Sequence, residues 1–350
     1  MGKRFYSGIA IGKLVAALLV LVIHVIPSPL AGENCPLTGG GMLQILSRSA
    51  VPFFFVSSAF LFYERSAAAT RWEQWNNVKM YIKRILFIYL FWFVVNLPVT
   101  IYFRIWIFRD NLFKAVLNQL KAFFITSTFP GSWYLISCIF SVLLISLLQN
   151  HFNSQTIVLL TFPLELICIV TTQYGYAISQ SMIWNKFIST FAEPHVSILA
   201  APFYFAIGKW AVDWISTTKI SSRSFGAMAL LSYAGMVAEY EISRITNTYR
   251  TLNRCFSLIP FVIAIFVLAE RYSVKRIVEI KFYLGIQRYS IFLFCTQWIY
   301  ISALNVLERV NVAFSPEINY LIIVAVSAFC YKIFWKLTRI QRFSWMKKAV

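Results

Sequence analysis

The chain has 350 residues, 59% of them hydrophobic and 13% charged, and a mean hydropathy of +0.68. That charged share is about half of what a soluble domain carries, which excludes a disordered chain and an ordinary water-soluble enzyme. Lys and Arg number 32 against 13 Asp and Glu, a net charge of +19. No separate basic domain holds this excess, so it reads as loops meeting anionic headgroups of membrane lipids and not as a nucleic-acid surface.

Apolar runs of about 18–22 residues recur from end to end, too long and continuous for the roughly ten-residue alternation of a barrel strand. The expected fold is therefore all-α, a polytopic membrane helix bundle forming a single domain over residues 1–350. Ten transmembrane spans are expected, at 10–27, 43–63, 81–107, 132–149, 155–173, 196–213, 224–240, 256–270, 284–305 and 318–337. Pro52, Pro98, Pro163, Pro202 and Pro260 fall inside them, where a membrane bundle tolerates kinks. Between the third and fourth spans, Phe113, Leu117, Leu120 and Phe124 recur at helical spacing, which predicts a helix lying along the interface. With the N-terminus inside, the inner segments hold 19 Lys and Arg and the outer segments 10. That bias places both termini in the cytoplasm.

Ionisable side chains inside spans are functional candidates by default. The first span reads IAIGKLVAALLVLVIHVIP and contains Lys13 and His24. Eleven residues at 100° each return to within about 20° of the starting direction, so both side chains share one helix face, about 16 Å apart along the axis. Ala16, Ala17 and Val20 lie between them on that face and are small enough to leave room for a chain-like ligand. The alternative is structural: a His held between helices and a Lys snorkelling to the inner headgroups. Arg48 and His24 flank the same outer turn, so a helical hairpin brings a guanidinium beside the imidazole, where it could bind a carbonyl oxygen or an acceptor. An interfacial Arg facing headgroups is the other reading. Glu165 is the one acidic residue deep in a span; it could orient His24, carry a proton, or pair with a basic group across helices. Glu193 and His195 read as an exposed interfacial pair or as part of the outer mouth. Three His and two Asp make no credible metal set, and there is no Gly-rich phosphate loop or GxSxG elbow.

Several of these segments form a recognisable order. Lys13, ten intervening residues and His24 are followed by Arg48 and VPFFFVSSAF at 51–60. MYIKRILFIYLFW follows at 80–92, GSWYLISCIF at 131–140 with Trp133, FYFAIGKW at 203–210, and YSIFLFCTQW at 289–298. This series resembles the acyltransferase-3 family of integral-membrane acyltransferases over nearly the whole chain. The family's usual Ser-Gly in the second span is Ser57-Ser58 here, Phe87 stands at a customary second basic residue, and Ser132 and Gln297 stand at two customary His positions.

The resemblance implies transfer of an acyl group, often acetyl, from cytoplasmic acyl-CoA (acetyl-CoA) to a hydroxyl of a surface polysaccharide or its lipid-linked precursor, in the cytoplasmic membrane of a bacterium. Lys13, Arg65, Lys83 and Arg84 line the inner mouth and could hold the donor phosphates. A narrow donor arm running about 16 Å along the first helix would bring its thioester to His24. His24 would act as general base or carry the acyl group briefly. The first role is preferred, because no second residue is evident to activate a covalent His. Arg48 would stabilise the oxyanion or position the acceptor, with Ser57, Ser58, Trp133 and Glu165 in support. The second functional reading is an exporter of a glycan or lipid-linked sugar. Paired broken helices in two related halves, a mark of many transporters, do not emerge from the sequence.

Overall fold

The computed structural model describes residues 5–26, 39–102, 105, 111–125, 127–191, 193–248, 251, 253–272 and 277–350, and among them every regular element is helical. In chain order the α-helices are α1 (Ser7–Val25), α2 (Gly39–Ser47), α3 (Ala50–Ser66), α4 (Arg71–Tyr102), α5 (Leu112–Ile125), α6 (Trp133–Leu148), α7 (Ser154–Gln173), α8 (Tyr176–Ser179), α9 (Met182–Phe191), α10 (Pro202–Ile215), α11 (Ser222–Ile245), α12 (Leu258–Arg271), α13 (Ile277–Arg309) and α14 (Pro316–Leu337). Short 3₁₀ turns at Pro194–Val196 and Ile198–Ala200 precede α10, and a longer one, Gln341–Ala349, follows α14.

Each expected span overlaps helix, the second divided between α2 and α3, and the end of the third, beyond Tyr102, lies largely outside the described residues. Among the described residues, seven helical stretches are long and apolar enough to cross a membrane: Ser7–Val25, Gly40–Ser66, Arg71–Tyr102, Ser154–Gln173, Ile198–Ile215, Glu279–Arg309 and Pro316–Leu337. The chain is a multi-pass membrane protein. Helices α6 and α12 are apolar but shorter, and α11 is less apolar, interrupted by Arg223, Glu239, Glu241 and Arg244. Leu86, Leu90 and Val94 repeat every four residues along α4 and are all exposed, the stripe a helix turns to hydrocarbon. The amphipathic stretch before the fourth span is α5, with Phe113, Leu117 and Leu120 exposed along one side.

The prolines behave differently from the kinks expected of them. Pro52, Pro202 and Pro260 lie in the first turns of α3, α10 and α12, where a missing N–H costs no intrahelical bond. Only Pro98 and Pro163 are in helix interiors. The expected second span is consequently two helices. Gln44 ends up at the close of α1, donating to the Val22 and Ile26 carbonyls at 3.1 and 2.6 Å, and Arg48 sits at the break between α2 and α3.

Helix α1 packs on α2, α3, α12, α13 and α14, and α3 packs on α10. Small residues permit the close approaches. A Cβ on Gly208 of α10 would lie 2.4 Å from the Val56 carbonyl oxygen of α3, and one on Gly8 of α1 would lie 2.2 Å from the Ala269 carbonyl of α12. With no hydrophobic drive between helices in lipid, this close packing carries much of the association. Ala16, Ala17 and Val20, expected to flank an open strip, are instead packed into the core at 3%, 0% and 4% exposure.

Candidate active site

Two polar clusters occupy opposite ends of α1. Lys13 is buried within electrostatic reach of Arg84 on α4, the Cys138 thiol on α6 and Arg65 on α3. Arg84 in turn is within reach of Arg65, Tyr81 and Arg288 on α13. Three of the four expected phosphate ligands therefore converge, together with Arg288, which the sequence did not single out. Lys83 is exposed and stands about 100° round α4 from Arg84. Glu64 at this end accepts from the Tyr6 hydroxyl at 3.3 Å. Beside the cluster, the Cys138 thiol lies within electrostatic reach of Tyr81 and Tyr134, and the Tyr134 and Ser58 hydroxyls are 3.0 Å apart. A cavity of about 140 Å³ opens at the same end, lined among others by Tyr63, Gln74, Gln149, Lys209 and Asp213.

At the other end of α1, the exposed His24 meets the Trp298 ring edge-to-face at 6.3 Å and feels the charge of Arg48. Arg48 Nη1 donates to Asn253 Oδ1 at 2.5 Å and Nη2 to Gln44 Oε1 at 3.3 Å. Its Nε–H is buried and has no hydrogen-bond partner among the described residues, a donor held ready for something else. Asn253 continues the network, its Nδ2 lying 2.9 Å from Nε2 of His195. His195 is only 9% exposed, which corrects the reading of an exposed pair with Glu193; its Nδ1 faces Glu193 Oε2 at 3.9 Å.

The expected supporting residues divide. Glu165 does not reach His24. It accepts from Tyr204 at 2.7 Å and pairs with Arg254 at 3.5 Å, both members nearly sealed from solvent. Arg254 also donates to the Ala200 carbonyl at 3.4 Å and lies over the Tyr204 ring. Ser57 is buried and donates to the Phe54 carbonyl of its own helix. Trp133 packs against Phe55, ring centroids 6.1 Å apart. Ser132, at a customary His position, accepts from Thr128 N and Phe129 N and holds the turn before α6. Gln297 is buried next to Trp298 and donates to the Phe294 carbonyl.

An acyltransferase domain model, acyltransferase family 3, matches residues 6–335. The chain belongs to the acyltransferase-3 family. Two curated relatives from Enterococcus faecalis, both named amino-acid racemase, are 24% identical over 254 residues and 26% identical over 214 residues. These stretches cover 70% and 59% of this chain but only 34% and 28% of the relatives, so this acyltransferase-3 chain spans about a third of their length. The racemase name belongs to those longer proteins. No solved structure matches the chain.

Phe54, Tyr134 and Phe294, from α3, α6 and α13, form a mutual aromatic trio with centroids 5.5–5.9 Å apart. Phe294 is six residues beyond Arg288 and four before Trp298 on α13, roughly 9 Å and 6 Å along the helix. The trio therefore lies at intermediate depth.

Proposed function

We propose that this chain is a membrane O-acyltransferase that moves an acyl group, acetyl in the simplest case, from acyl-CoA on the cytoplasmic side to a hydroxyl of a surface polysaccharide or its lipid-linked precursor. One observation carries the reading beyond family membership: a single helix, α1, holds Lys13 among cations at one end and His24 beside Arg48 and Trp298 at the other. The cation cluster suits the phosphates of the donor, and Arg guanidinium groups match phosphate oxygens in pairs. The donor arm then spans the roughly 16 Å to His24. Since the strip beside Ala16, Ala17 and Val20 is packed, the arm enters only when the Phe54–Tyr134–Phe294 trio parts.

His24 takes the proton from the acceptor hydroxyl as its oxygen attacks the thioester carbonyl. The free Nε–H of Arg48 is available to the developing oxyanion, where a preorganised donor in a dry site is worth most. The tetrahedral intermediate collapses with cleavage of the C–S bond. The CoA thiolate leaves and is reprotonated by the imidazolium, and the acyl ester departs on the acceptor. The reading places the chain in a bacterial cytoplasmic membrane as one domain with ten crossings and both termini inside. In support, His24, Arg48, His195 and Asn253 meet at one end, which requires an even number of crossings between Arg48 and His195 and between His195 and Asn253.

The test is mass spectrometry of envelope glycans from cells with and without the protein, with isotope-labelled acetyl-CoA supplied to isolated membranes. Gain of one labelled acyl mass, lost with His24→Ala, is the expected result. No transfer, with purified protein whose melting temperature is indifferent to acetyl-CoA, would refute it and favour export.

A further inference from the structure

The hydrogen bonds around Asn253 fix more than its own position. A guanidinium offers only donors, so the amide atom facing Arg48 is the oxygen, and the NH2 is turned toward His195. An NH2 also offers only donors, so Nε2 of His195 accepts and the ring proton sits on Nδ1, on the side of Glu193. This is the opposite of the tautomer that free neutral histidine favours in water. The segment around Asn253 is held on both sides: before it Thr251 N donates to the Thr172 carbonyl at 3.1 Å, and after it Arg254 is bonded to Glu165 and to the Ala200 carbonyl, while the Glu239 carboxylate accepts from Phe256 N and Ser257 N at 2.8 and 2.7 Å. Asn253 is thus a rigid coupler between a charged group beside His24 and a second imidazole.

We propose that Asn253 and His195 are positioning residues for Arg48, with neutral, Nδ1-protonated His195 locking the amide and the amide locking the guanidinium beside His24. A second proton on His195 sets N–H against N–H. The amide then has to turn, its NH2 confronts the guanidinium, and the clamp opens. Among the described residues, the charged and titratable groups around this ring include Glu193 on its own segment, Arg48 at the α2–α3 break across Asn253, the Glu165–Arg254 pair joining α7 to the Asn253 loop, Glu239 and Tyr240 of α11, and His24 of α1 at the same end of the bundle. The effect on turnover rests on the acyl-transfer reading, whereas the tautomer does not.

The chain has 3 His, so its imidazole nitrogens are countable. In ¹⁵N-histidine-labelled protein in nanodiscs at pH 7.5, long-range ¹H–¹⁵N correlation should show one ring protonated at Nδ1 with bare Nε2. His195→Gln should remove that resonance, and Asn253→Ala should convert it to the Nε2–H form. A wild-type His195 that is Nε2–H or fully protonated at this pH overturns the proposal, as does a tautomer untouched by Asn253→Ala. In membranes carrying the native acceptor, Asn253→Ala should slow label transfer from acetyl-CoA at least tenfold with the KM for acetyl-CoA unchanged. Asn253→Asp keeps the acceptor for Arg48 but favours a protonated His195, so its activity should persist further into acid than wild type, a change that a purely structural role would not produce. The near-isosteric Asn253→Asp guards against misfolding as the explanation. If the tautomer is found and wild type transfers no label, the clamp stands and the acyl-transfer reading falls.

Discussion

Replacing Glu165 by Gln keeps the shape of the side chain and its bond from Tyr204 but leaves the Arg254 guanidinium buried without its counter-charge. Glu165 is 0% and Arg254 3% exposed, with 3.5 Å between the paired atoms. At an effective dielectric constant of about 20, the attraction at that distance is roughly 5 kcal/mol. Desolvating the two ions costs several kcal/mol each, so the intact pair contributes little net, whereas removing one partner costs about 3–5 kcal/mol. Glu165→Gln should therefore lower stability by that amount. The double variant Glu165→Gln, Arg254→Met removes the orphaned charge and should recover about 2–3 kcal/mol of the loss, the non-additivity expected of directly bonded groups. Unfolding titrations with SDS in mixed micelles, followed through tryptophan fluorescence, measure both. A single variant losing less than about 1 kcal/mol, or a double variant weaker than the single, would show that Glu165 and Arg254 do not stabilise one another as argued.

Lys13→Ala should weaken acetyl-CoA binding by about 10- to 100-fold, the worth of one charged hydrogen bond, and by more than His24→Ala does; equal affinity in wild type and Lys13→Ala, measured by calorimetry in nanodiscs, removes Lys13 from the phosphate site. Gly208→Leu puts side-chain atoms where a Cβ already lies 2.4 Å from the Val56 carbonyl and 2.6 Å from Ala59 Cβ, so the α3–α10 seam should lose about 1–3 kcal/mol or more. Gly226→Ala in α11, whose added Cβ meets nothing within 4 Å, should be neutral or up to about 1 kcal/mol stabilising in the same titration. In a cysteine-free background, ten crossings require that Lys219→Cys and Lys348→Cys resist an impermeant thiol reagent applied outside while Glu308→Cys reacts. External labelling at Lys348 would place the C-terminus outside and overturn the expected topology.

The share of this protein legible in its sequence is the local share. Length and continuity of apolar runs specify helices wherever lipid leaves no water to satisfy the backbone, and each expected span has its helix. A fixed 100° per residue put Lys13 and His24 on one face of α1, and the same periodicity disclosed the amphipathic α5. Pairings between distant residues were not legible. Glu165 and Arg254 are separated by 89 positions, Asn253 and His195 by 58, and Arg48 and Asn253 by 205. Periodicity says which side of a helix is apolar but not which neighbour it meets. That choice is made by steric fit, as where Gly208 lets α10 close on Val56 and Gly8 lets α1 close on Ala269. Those seams place α10, α11 and α12, whose flanking segments carry His195 and Asn253. A histidine that reads as an exposed interfacial residue then becomes a buried partner of Asn253, which bonds the arginine beside His24.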